Sequence, residues 1–378
     1  MNDGTETMSN LPNLGRQPYV VDLGERSYPV YVGPGIIRGA GTVFKGRLSH
    51  TDKCAIVTSD SVWETHGGGF HESLSEQAID VVKASVPDGE EAKSWSVAEA
   101  LIGYLLGQGL DRQSAIISFG GGSIGDLAGF VASIYLRGVN LIQVPTTLLS
   151  QVDSSLGGKT AVNHPKGKNL IGSFYQPVMV LSDTELLRTL PRGEILSGLG
   201  EVVKHGIIAD HSLFDFVEDN VDGLVEADPG ALTHVVERSV AIKGALVALD
   251  ERDSLGIRAV LNYGHTAGHA LETLSQLGIR HGEAVALGMM VASRLSERVG
   301  HTTRENTERQ RRLLTELGFD LKPPRFTPDD IVEVMHRDKK ALMGTIRFVL
   351  PTGIGSTPVL RAVSEQEVVK ALEEEGYG

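Results

Sequence analysis

The sequence predicts an α/β protein with two parts: an N-terminal doubly wound dinucleotide-binding sheet domain and a mainly α-helical C-terminal domain for metal and substrate. Three observations predict it. Short apolar runs bounded by turn residues alternate with helix-like stretches as far as Asp183, the order expected of a parallel sheet. After Leu190-Pro191 the strand signals fade and long helical periods take over. Between one strand and one helix stands the turn Gly120-Gly121-Gly122, where a nucleotide sheet places its phosphate site. With 378 residues the chain exceeds what one hydrophobic core usually spans.

In chain order, residues 1–18 read as a flexible tail, because they show neither apolar periodicity nor the basic and apolar regions of a signal segment. Residues 19–188 form the expected dinucleotide-binding α/β domain. Its buried strands are residues 54–57, 115–119, 141–144 and 178–181, and residues 94–109 supply a helix with Val97, Leu101, Tyr104 and Leu105 on one face. Residues 153–169, rich in Gly, Lys and Asn, show no period and read as a loop. Residues 189–378 form the metal- and substrate-binding domain, helical over 211–225, 231–249, 261–277 and 283–299. Two late runs, 345–350 and 357–363, flank a Pro/Gly turn and predict a hairpin.

Composition narrows the function. A formal net charge of −13 disfavours nucleic acid and anionic membranes as partners, and no apolar run is long enough to span a bilayer. A small anionic substrate stays compatible wherever lysines and arginines cluster locally. The single cysteine, Cys54, excludes an intrachain disulfide and a thiolate metal cage and fits a reducing, cytoplasmic setting.

Several groups of residues carry chemistry. Gly121, Gly122, Ser123, Ile124, Gly125 and Asp126 open a helix directly after a strand, so backbone amides and the helix dipole can receive a pyrophosphate. Thr146 and Thr147 follow the next strand at the same edge. Asp153, Lys159, Lys166, Lys168 and Asn169 lie in the Gly-rich stretch, where ammonium and amide groups can close around an anion. Glu201, Lys204 and His205 share one helix face amid apolar neighbours. Asn262, His265 and His269 repeat that spacing, and His281 follows in a turn. One Glu with two or three His suits Zn2+ or a similar divalent ion, and spacing alone admits all three histidines as ligands. Thr266 stands where a zinc peptidase has its catalytic Glu, which disfavours peptide hydrolysis. Lys243, Arg258, Lys339 and Lys340 are further cations near apolar or turn segments.

The strings GGGSIGDLAGFVASIYLRG, VPTTLLSQVDSSLGGKTAVNHPKGKNLIGSFYQP, GEVVKHG, LNYGHTAGHALE, HGEAVALGM and RDKK closely resemble the 3-dehydroquinate synthase family over about residues 88–350. The resemblance implies a homodimeric enzyme of the shikimate pathway, dependent on NAD and on Zn2+ or Co2+, that turns 3-deoxy-D-arabino-heptulosonate 7-phosphate into 3-dehydroquinate and phosphate. It implies Glu201, His265 and His281 as metal ligands, and it moves His269, with Lys204, Lys243, Arg258 and Asn262, to the substrate. Asp153, Lys159, Asn169 and one of Lys339 or Lys340 join that surround, and Arg137 resembles a residue that reaches the substrate phosphate of a neighbouring subunit. For NAD it implies Asp88, Gly89, Glu90 and Lys93, the stretch from Gly121 to Asp126, Thr146, Thr147, Lys159, Lys168, Leu186, Leu187, Arg188, Thr189 and Glu194. Ser123 and His205 depart from the residues frequent in the family. Another sugar phosphate cyclase and a metal-dependent polyol dehydrogenase are the alternatives; the first has no need of carboxylate recognition, and the second has little use for so many cations.

Overall fold

The structure is a computed structural model that describes residues 14, 16–276, 278–338 and 345–378. It divides into two compact units, one running to Leu190 and including Leu232–Glu251, the other comprising Pro191–Ala231 and Arg252–Gly378.

The first unit is built on a seven-stranded sheet. Its strands are β1 (Tyr19–Val21), β2 (Tyr28–Gly33), β3 (Lys53–Thr58), β4 (Asp80–Ser85), β5 (Ala115–Gly120), β6 (Asn140–Pro145) and, after the hairpin β7 (Lys159–His164) and β8 (Gly167–Phe174), β9 (Met179–Asp183). The order across the sheet is β1-β2-β9-β6-β5-β3-β4, parallel except for β1. Alternation along each strand fills two cores. Ala55 and Val57 pack in the layer with Leu101, Leu105, Leu127 and Val131, while Cys54 and Ile56 pack with Val43, Phe44, Phe70 and Leu74. Both faces are therefore covered, which is why these strands read as unbroken apolar runs. From β3 the chain first adds β4 on one side and then β5 on the other, a switch point that opens a crevice beyond the strand ends. Gly120 and Gly121 lie there.

Three expectations change. The supposed loop over 153–169 contains β7 and the first residues of β8, paired antiparallel. β7 buries Thr160, Ala161 and Val162 in succession, while β8 has no fully buried residue and is interrupted by Gly167 and Gly172, so no period of two survives. The division at residue 188/189 is amended because residues 232–251 belong to the first unit. There Thr233 Oγ1 meets Thr184 Oγ1 at 2.8 Å, and Gly244 lets the Tyr19 ring approach to where a Cβ would lie 2.4 Å from it. The tail is not loose throughout: Leu14 packs against the core and Arg16 pairs with Glu237, whereas the rest up to residue 13 lies outside the described residues.

In the second unit, helices Arg192–Ala209, His265–Leu274, His281–Arg298, Arg304–Leu317 and Glu365–Glu374 surround a buried centre. The expected hairpin is present as β10 (Thr345–Leu350) and β11 (Val359–Ser364). No helix among the described residues is long and apolar enough to cross a membrane.

Candidate functional site

Every residue from Ile195 to Ile208 of the helix Arg192–Ala209 is buried, so its polar residues must find partners inside the protein. Glu201, 0% exposed, is held by Lys204, 1% exposed, whose Nζ pairs with Oε2 one turn along. Neither carboxylate oxygen makes a regular hydrogen bond among the described residues, and Oε1 is the one not paired with Lys204. Oε1 faces Nε2 of His265 at 3.5 Å and Nε2 of His281 at 3.5 Å. Two donors each about 2.1 Å from a tetrahedral ion stand about 3.4 Å apart, so this trio fits a divalent metal.

Protonation suits that fit. Burial works to raise the Glu201 carboxyl, yet Lys204, His265 and His281 hold it well below the usual carboxylate range. Burial, then Lys204, pushes His265 down, which leaves its imidazole neutral as a ligand must be. Burial also pulls His281 down, but Glu201 and Glu272 lift it to about 10, so ligation there displaces a proton.

Backbone contact sets the spacing. A Cβ on Gly282 would lie 2.1 Å from the Ser197 carbonyl oxygen, and one on Gly288 would lie 2.0 Å from that of Gly264. Glycine thus brings the Glu201 helix against the start of the His281 helix, and the His281 helix against the start of the His265 helix. The Gly282 amide donates to Ser197 Oγ at 3.2 Å, and Glu283 accepts from the Arg280 amide at 3.0 Å, which fixes the first turn carrying His281.

His269 sits one turn beyond His265, with ring centroids 5.2 Å apart, and its donor atoms group with Glu272 and His281 instead of with Glu201. The turn Ile257–Asn262 supplies half-buried Asn262 and Arg258, which is 3% exposed. Glu194 opens the Glu201 helix, 3.6 Å from Arg280.

The first unit assembles its own set. Gly121 caps the helix Gly122–Ile134 without a side-chain hydrogen bond, and the Thr146 amide donates to Gly120 O at 3.0 Å, so the ends of β5 and β6 are joined beside that helix start. Thr147 shares a hydroxyl contact of 2.8 Å with Ser150. The turn over Asp88 to Lys93 lies alongside: Asp88 accepts from the Gly89 amide, and Ser123 Oγ donates to Glu90 at 3.3 Å. Lys93 Nζ donates to Asp126 at 2.6 Å and to Asn169 at 2.5 Å. Burial raises the Asp126 carboxyl against the pull of Lys93. Lys243 Nζ donates to both the backbone and side-chain oxygens of Asp153, each at 2.6 Å. Asp126, Asp153, Lys159, Asn169 and Lys243 together line a cavity of about 450 Å³.

Other expected residues stand apart or act differently. Leu186 and Leu187 are core side chains, so only their backbone can meet a ligand, while Thr189 contacts His66 at 2.8 Å. Arg188 and Lys168 are exposed. Arg137 is exposed with φ 69°, after Leu136 with φ 46°, left-handed conformations that cost about 1–3 kcal/mol each outside glycine. Lys339 and Lys340 lie outside the described residues.

Sequence reasoning passed over Glu272, Tyr263 and Gly282. A signal existed for Glu272, which follows His265 and His269 at i+7 and i+3 on one helix face. Among the described residues the buried lysines and arginines are Lys93, Lys204, Lys243 and Arg258, so this acidic chain spends its buried cations on these two sets.

Comparison with known proteins identifies relatives over nearly the whole chain. A family model described as 3-dehydroquinate synthase N-terminal matches residues 83–197, and one described as 3-dehydroquinate synthase C-terminal matches residues 198–341. The chain is 45% identical over 354 residues to the 3-dehydroquinate synthase of Desulforamulus reducens, covering 93% of this chain and 98% of that one. Among solved structures, 2-deoxy-scyllo-inosose synthase complexed with carbaglucose-6-phosphate, NAD+ and Co2+ superposes with TM-score 0.86 at 27% identity, over 94% of this chain and 99% of that one. The 2-epi-5-epi-valiolone synthase of Streptomyces hygroscopicus, with NAD+ and Zn2+ bound, gives 0.84 at 26% identity, over 94% and 98%. Likeness this extensive, running through the glycine turn and all three candidate metal helices, shows that the chain belongs to the 3-dehydroquinate synthase family.

Proposed function

We propose that the chain converts 3-deoxy-D-arabino-heptulosonate 7-phosphate to 3-dehydroquinate and phosphate, as a carbon–oxygen lyase that uses NAD and a divalent metal. The observation that carries this reading is the buried Glu201 Oε1 facing two imidazole nitrogens at 3.5 Å, a three-donor set that leaves a fourth position for substrate oxygen. The NAD+ and Co2+ or Zn2+ in the two related cyclases support the same cofactors here. Bound at their sites, the metal supplies a Lewis acid and NAD a hydride acceptor that returns the hydride within one turnover.

The chain's own residues do the holding and orienting. Glu201, His265 and His281 hold the metal, and Lys204 neutralises the carboxylate oxygen that the metal does not use. His269, Asn262 and Arg258 face the substrate; an arginine fork suits its carboxylate, which distinguishes this substrate from those of cyclases acting on sugars without one. Lys159, Lys243 and Asn169 form a second cationic and amide set for the phosphate, with Asp153 fixing the Lys243 ammonium. The amides from Gly121 to Gly125, Thr146, Thr147, Lys168, the turns over Asp88 to Lys93 and Leu186 to Thr189, and Glu194 receive NAD. In the same reading the enzyme is a cytoplasmic homodimer, with Arg137 serving the partner's substrate; its held, left-handed backbone favours a functional post over a chance one.

The test supplies purified chain with the heptulosonate phosphate, Zn2+ and a small amount of NAD. Phosphate released one for one with 3-dehydroquinate supports the reading; a different carbocycle, or phosphate without cyclisation, contradicts it.

A further inference from the structure

The two histidines of the metal trio present the same nitrogen, Nε2, but are aimed by different means. His265 is set by main chain: its Nδ1 lies 3.1 Å from the Tyr263 carbonyl. Tyr263 is itself buried, with its hydroxyl 2.8 Å from both Ser293 and Gln310. His281 has a side-chain partner, Glu272, whose Oε2 lies 3.3 Å from its Nδ1. The side chain of Glu272 is 14% exposed against 30% for His281, so the contact is made on the protein side of the ring.

We infer that Glu272 is a positioning residue for metal binding: its carboxylate accepts the Nδ1–H of His281 and so directs Nε2 of that ring at the metal. This rests on the metal reading above. A carboxylate behind a histidine ligand fixes the tautomer and the ring plane and strengthens the donor. The competing idea, a second ion held by His269, Glu272 and His281, would require His281 to give up both ring protons and bridge as an imidazolate. A neutral imidazole has one lone pair, and a ring that gives Nε2 to the first ion keeps its proton on Nδ1.

The test measures zinc affinity of the full chain by competition with a chromogenic chelator, for wild type, Glu272→Ala, Glu272→Gln and His265→Ala, and records the visible spectrum of each Co2+ form. Glu272→Ala should weaken zinc about 10- to 100-fold and alter the Co2+ spectrum. Glu272→Gln, whose amide oxygen still accepts from Nδ1–H, should recover most of the affinity and the wild-type spectrum. Wild-type affinity and spectrum in Glu272→Ala, while His265→Ala has lost zinc, overturns this inference and leaves the metal reading intact. Equal loss in both Glu272 variants, with the metal-free proteins melting below wild type, also overturns it, in favour of a packing role. Zinc bound equally by wild type and His265→Ala overturns the metal reading itself.

Discussion

Glu201 uses its two carboxylate oxygens differently: Oε2 meets Lys204, and Oε1 faces the two histidines. Paired with Lys204 alone it would be a buried ion pair of doubtful value to stability; the imidazole nitrogens facing Oε1 give it the setting of a candidate metal ligand. His265→Ala should therefore lose bound zinc and turnover together, whereas His269→Ala should keep zinc and lose turnover, as metal analysis of purified variants can decide. Full zinc in His265→Ala contradicts the assignment. Arg258→Lys keeps a charge but loses the planar fork, a loss of about 1.5–3 kcal/mol or on the order of 10- to 150-fold in kcat/KM, with zinc and NAD binding unchanged. Near-normal kcat/KM would make Arg258 structural. The spacing Glu201, Lys204, His205 was legible in the sequence because a helix puts i, i+3 and i+4 on one face. Which histidines join Glu201 was not legible, because it depends on how His281, from another helix, meets that face.

Elements carry the next level of precision. The trio depends on three helices touching at backbone distance, and Gly282 is where the His281 helix meets the Glu201 helix, with the Ser197 carbonyl oxygen 2.1 Å from a Cβ. Gly282→Ala should force the His281 helix outward, lowering stability by about 1–3 kcal/mol and weakening zinc binding as well. A thermal melt of the metal-free protein and a zinc titration measure both; unchanged values would show that the helices can part without disturbing the ligands. Buried strands such as β5 and β6 were readable from apolar runs alone. The β7–β8 hairpin was not, since its buried residues stand side by side in β7, β8 has none, and Gly167 and Gly172 break the run. The helix Pro229–Leu249 was readable as a helix, but its membership of the first unit rests on distant partners, Tyr19, Asp153 and Thr184, that no local pattern announces.

Across the whole molecule the net charge is −13, yet among the described residues four lysines and arginines are at most 6% exposed. Desolvated charges are tolerated only where partners or ligands compensate them: Asp126 and Asn169 serve Lys93, Asp153 serves Lys243 and Glu201 serves Lys204, and in the proposed function such cations hold an anionic substrate despite long-range repulsion. The same charge balance explains why composition could exclude nucleic acid yet not name a substrate. In the proposed function, hydride leaves the substrate and returns to it inside one catalytic cycle. The most direct measurement follows NADH absorbance and phosphate together during steady turnover with NAD far below substrate. Phosphate should exceed NAD many times over while NADH stays at or below the enzyme concentration; NADH accumulating in proportion to substrate consumed would contradict the account and establish a dehydrogenase.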